Sequence, residues 1–124
     1  MTRVALVFLG GGLGAACRYG LSGLVYRIAG ENFPHGTLVV NLLGSLLIGL
    51  LMAVFEDRFL VAPALRIFLT IGVLGGFTTF STFSYETVQL LSAGRLLAGG
   101  LNVVLSAAGC VVAAWCGMLL GKLI

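Results

Sequence analysis

The sequence predicts an all-α membrane protein of four transmembrane helices. Sixty per cent of its 124 residues are hydrophobic and only 9 % are charged, with a mean hydropathy of +1.16. A soluble domain covers its surface with about a quarter charged residues, which seven basic and four acidic side chains cannot supply. Glycine is the second outlier, at 19 residues against a usual share of ~7 %; membrane helices use it to let backbones approach. Third, the charges are separated by long apolar runs, each close to the ~20 residues that carry a helix across a ~30 Å hydrocarbon core. None alternates with period two, so they do not read as strands of a membrane barrel.

The chain reads as one membrane domain, 1–124. The first span, about 4–26, holds a single charge, Arg18. Gly14-Ala15-Ala16-Cys17 faintly resembles a lipoprotein cleavage site, but glycine stands where an aliphatic residue is wanted and the apolar stretch resumes after Arg18, so this helix is expected to be retained. The second span, about 36–55, is uncharged and carries Asn41, Gly44, Ser45 and Gly49 on one face. The third, about 64–90, contains Gly75-Gly76 and Thr78-Thr79 at mid-membrane, residue types that weaken a helix. A break at 75–79 is therefore expected, with freed backbone groups that membrane depth tolerates only inside protein or beside an aqueous cavity. An unbroken helix with a glycine-rich packing face is the alternative. In the fourth span, about 97–121, Asn102, Ser106, Gly109, Ala113 and Gly117 share a face. The linkers (Arg27–His35, Glu56–Ala62 and Ser92–Arg95) leave no room for a soluble catalytic domain.

Charge orients the chain weakly. Arg3, Arg58, Lys122 and Arg66 fall on the side of the termini and Arg27 and Arg95 on the other, and Arg66 can also be counted as intramembrane. So slight a bias suits insertion in both directions and antiparallel pairing. The basic residues stand singly, with no patch for nucleic acid. Cys17, Cys110 and Cys116 lie in apolar stretches without metal-type spacing and read as packing residues.

The polar residues inside the spans narrow the chemistry. Arg18 near mid-membrane costs ~2.5–3.5 kcal/mol on an insertion scale; it either lines water or is tied to backbone carbonyls. Asn41 must find partners, as an ion ligand or as glue between helices. Phe80-Ser81-Thr82-Phe83-Ser84 follows the expected break, with Phe80 and Phe83 on one helix face. Ring edges carry positive potential and can meet an anion. Arg18, Asn41, Ser81, Thr82, Ser84 and Ser106 stand against a lone Glu86 near a membrane end. Donors dominate, which favours a small anion over a cation. Catalysis is not expected: His35 stands alone, Glu56 and Asp57 are neighbours in a loop, and no nucleophile–base set occurs. Gly10 to Ala15 fits a dinucleotide-binding pattern but lacks the soluble βαβ context that would support it.

Three segments resemble the Fluc (CrcB-type) family of fluoride channels, small four-span proteins that expel fluoride from microbial cells. They are Gly11-Gly-Leu-Gly14-Ala15-Ala-Cys-Arg18-Tyr19, Pro34-His-Gly36-Thr37-Leu-Val-Val-Asn41-Leu-Leu-Gly44, and Gly75-Gly76-Phe77-Thr78-Thr79-Phe80-Ser81-Thr82-Phe83. The third is the most specific, and the likeness runs from end to end. The resemblance implies an antiparallel, dual-topology homodimer in a bacterial inner membrane, with separate fluoride pathways that each use both subunits. It implies that Phe80 and Phe83 present ring edges to the ion, that Asn41 lines the pore, and that Ser81, Thr82, Ser84 and Ser106 follow the ion's track. It further implies that backbone carbonyls of Gly75 and Thr78 from both subunits enclose a structural sodium ion, and that Arg18 sits near a vestibule. Composition and spacing do not select fluoride by themselves.

Two other readings are weaker. A small proton-coupled multidrug exporter has similar length and span count, but it needs a carboxylate inside the membrane, where the first span offers Arg18 and no acid. A subunit that only packs against a larger complex would have no use for the Phe/Ser cluster beside Gly75-Gly76.

Overall fold

A computed structural model describes residues 2–57 and 61–124. Arg58, weighed above for orientation, lies outside the described residues. Helix α1 runs Arg3–Ala29, α2 His35–Asp57, α3 Pro63–Ile67, α4 Gly75–Phe77, α5 Phe80–Ser92 and α6 Leu96–Lys122, with a π-helical stretch Phe68–Leu74 between α3 and α4. Among the described residues every regular element is helical. Four stretches are long and apolar enough to cross a membrane: Arg3–Ala29, His35–Glu56, Pro63–Ser92 and Leu96–Lys122.

The helix ends follow local chemistry. Thr2 caps α1 by accepting the Ala5 N–H at 3.3 Å. Pro63 opens α3, where a missing N–H is no loss. The α5–α6 turn closes on Gly94 (φ 75°), a backbone state that a side chain would strain. At the far end of α2, Arg66 donates to the Phe55 carbonyl at 2.7 Å and lies 5.3 Å from its ring centroid. A cation suits the negative end of a helix dipole.

Backbones meet directly where glycine removes the side chain. A Cβ added at Gly14 would lie 2.0 Å from the Val73 carbonyl oxygen, so α1 rests against the π-helical stretch with nothing between them. The same holds for α2 and α6, where a Cβ at Gly117 would lie 2.0 Å from the Leu46 oxygen. These contacts match the small-residue packing of membrane helices, which have no hydrophobic drive toward one another.

The burial pattern is inverted relative to a soluble domain. Phe8, Tyr19, Ile28 and Leu97 are each at least 78 % exposed, whereas Thr37, Thr79, Thr87, Asn102 and Ser106 are buried. On α6, Asn102, Ser106 and Gly117 face the interior. Such a surface suits apolar surroundings, in which polar groups must pair inside.

Candidate functional site

The candidate site forms at Thr78 and Thr79, between the end of α4 and the start of α5. Gly75 and Gly76 are helical; Thr78 (φ −81°, ψ 158°) and Thr79 (φ −150°, ψ 117°) are extended. Asn41 of α2 holds this point with both ends of its amide. Its Oδ1 accepts the Thr79 N–H at 2.8 Å, and its Nδ2 donates to the Thr79 carbonyl at 2.9 Å. In a continuous helix the Thr79 amide would point to the Gly75 carbonyl and the Thr82 amide to the Thr78 carbonyl. The Thr82 amide goes instead to the Thr79 hydroxyl at 3.3 Å, which caps α5.

Thr79 lines two cavities. The larger, about 430 Å³, is walled by Asn41, Gly75, Thr78, Thr79, Phe80, Phe83 and Ser106, among others. The Phe80 and Phe83 rings stand 5.3 Å apart between centroids, tilted by 54°. Phe80 is 79 % exposed on the single chain, and Phe83 is half-buried. The smaller cavity, about 230 Å³, is walled by Ala15, Arg18, Tyr19, Ser22, Thr37, Val40, Thr79 and Thr82. Arg18 is therefore placed beside hydroxyl groups.

The remaining hydroxyls divide by where their protons go. Ser84 donates to the Phe80 carbonyl at 2.9 Å, Thr78 to Leu74 at 3.1 Å, and Thr87 to Phe83 at 2.7 Å. Those protons are committed to their own helices. Ser81 lies 3.3 Å from the Thr79 hydroxyl, and Thr79 donates to Thr82 at 3.0 Å. Ser106 makes a long 3.5 Å contact to Asn102 Oδ1, while Asn102 Nδ2 donates to the Thr87 hydroxyl at 2.9 Å.

Sequence reasoning did not single out a third polar cluster. Glu86 Oε1 accepts from Tyr26 at 2.9 Å and from Thr37 at 3.0 Å, and Glu86 Oε2 is buried without a hydrogen-bond partner among the described residues. These residues lie far apart in sequence, so only the fold brings them together. No group of three or more His, Cys, Asp or Glu side chains that could hold a metal occurs among the described residues.

A model of a family described as CrcB-like protein, Camphor Resistance (CrcB), matches residues 5–118. The chain belongs to the CrcB-like family. Curated relatives extend the match over nearly the whole length. A protein of Geobacter sp. (strain M21) is 48 % identical over 122 residues, covering 98 % of each chain. One from Geotalea daltonii is 52 % identical over 118 residues, 95 % of each. One from Coxiella burnetii (strain Dugway 5J108-111) is 49 % identical over 121 residues, 97 % of this chain and 98 % of its own. All three are named fluoride-specific ion channel FluC, a name for channels and not for enzymes. Within this CrcB-like chain, the matched residues include both phenylalanines, Asn41 and the two threonines that interrupt the third span.

Proposed function

We propose that the protein is a passive, fluoride-selective channel that lets cytoplasmic fluoride leave a bacterial cell across its inner membrane. The observation that carries this is the cavity joining Phe80, Phe83, Asn41 and Ser106 in a chain whose relatives are named fluoride-specific channels. Fluoride is small and holds water tightly. A narrow path must replace that shell with donors and ring edges, and this wall supplies both. Hydrogen fluoride that diffuses in from acid surroundings dissociates in a near-neutral cytoplasm, and a negative-inside potential expels the anion at ~2.3 kcal/mol per charge per 100 mV. No bond is made or broken, so the protein acts as a channel and not as an enzyme.

The working unit in this reading is an antiparallel homodimer in lipid, with two pathways. The break after Gly75 and Thr78 has a matching use. The amides that would occupy those carbonyls in a continuous helix are drawn off by Asn41 and by the Thr79 hydroxyl. Backbone oxygens released in this way suit a sodium ion. One chain offers two such oxygens, and a second copy would complete the set. Sodium here is structural and supplies only charge to the dimer centre.

The test is fluoride efflux from liposomes holding the purified protein, started by valinomycin and followed with a fluoride electrode. Fast, potential-dependent release with little chloride flux is expected, and an imposed sodium gradient should drive no accumulation. Folded protein that releases no fluoride would overturn the reading.

A further inference from the structure

We propose that Thr79 is the hand-over residue through which an anion passes between the Arg18 cavity and the phenylalanine cavity, an inference that rests on the channel reading above. Among the described residues, Thr79 is the one that lines both cavities. Its backbone is held at N–H and carbonyl by Asn41, so its place in the wall is set by α2 as well as by its own span. Its hydroxyl lies 3.0 Å from Thr82 Oγ1 and 3.3 Å from Ser81 Oγ, and accepts the Thr82 amide.

A hydroxyl has one proton to give and two lone pairs to receive. When Thr79 donates to Thr82, the Thr82 proton is released toward the Arg18 cavity, which Thr82 lines. When the Thr79 hydroxyl rotates away, its proton is free for an anion on the phenylalanine side, and Thr82 can donate back to it. One rotation about a C–O bond thus moves donor capacity from one cavity to the other. An ion that sheds and regains its water on crossing needs that transfer at the shared wall.

The same contacts would serve an ordinary helix cap, and the test separates the two. Fluoride efflux is measured for the wild type and for Thr79→Ser, Thr79→Val and Thr79→Gly, with size-exclusion elution and melting temperature recorded for each. Serine keeps cap and donor, valine keeps shape and loses both, and glycine keeps most of the cap while losing the donor and adding no charge. Serine should conduct within about threefold of wild type, and glycine and valine should be slower by about tenfold or more, the scale of a lost hydrogen bond to a charged group. Wild-type flux in folded Thr79→Gly or Thr79→Val, or a Thr79→Ser variant as slow as they are, overturns the hand-over role. A silent wild type would instead sink the channel reading itself.

Discussion

Phe80 and Phe83 differ in their surroundings although they share a face. One is 79 % exposed on the single chain, the other is half-buried, and their rings meet at a tilt. Isoleucine offers comparable apolar bulk without a ring edge, so Phe80→Ile and Phe83→Ile each isolate the aromatic electrostatics. Both variants should assemble like the wild type and lose fluoride flux in the liposome assay. Retained flux would refute the ring-edge role. Hydroxyls were easy to count in the sequence, but their protons were not easy to place. Ser84 turns its proton to the carbonyl of Phe80, which leaves its lone pairs, and not its donor, for anything beyond the helix. In the sequence Thr79 reads as part of the break at 75–79 and not as a site residue, because no local pattern reports that it lines two cavities.

At the level of elements, the four long apolar spans are legible because uncharged runs and span length are properties of local sequence. The clustering of Asn102 and Ser106 on the buried side of α6 followed from helical periodicity. The π-helical stretch Phe68–Leu74 was not legible, since an extra residue in a turn leaves no compositional mark. Nor was the pairing of particular glycines with particular carbonyls. That pairing yields a sharp comparison. Gly14→Ala would push a methyl group to 2.0 Å from the Val73 oxygen, whereas a Cβ at Gly12 meets nothing within 4 Å. Gly14→Ala should destabilise by about 1–3 kcal/mol, the usual cost of overpacking. Gly12→Ala should be neutral or stabilising by up to ~1 kcal/mol through helix propensity. Melting of the purified protein in detergent measures both, and equal shifts would disprove the close contact.

For the whole molecule, the surface raises the question of orientation. Arg27 and Arg95 mark one end of the bundle, and Arg3, Lys122 and Arg66, which donates to the Phe55 carbonyl, mark the other, a bias too slight to give an inserting chain much reason to choose a side. Antiparallel pairing requires that both orientations be made. Labelling single cysteines in the 30–34 and 93–95 loops with an impermeant reagent, after replacing Cys17, Cys110 and Cys116, should mark each loop from both sides of the membrane. Labelling from one side alone would exclude dual topology.

The Asn41 clasp has a consequence for how such a bundle can move. A primary amide is a peptide group without a chain, so α2 lends the third span a spare peptide unit at the point where its own ladder stops. The span can end and restart inside the bundle with the Thr79 amide and carbonyl still paired. The splice also ties two rods together at mid-depth: α2 cannot slide along its axis by even one residue rise of 1.5 Å without tearing both bonds. A pathway built on this joint has its wall fixed by the same side chain that keeps its backbone paired.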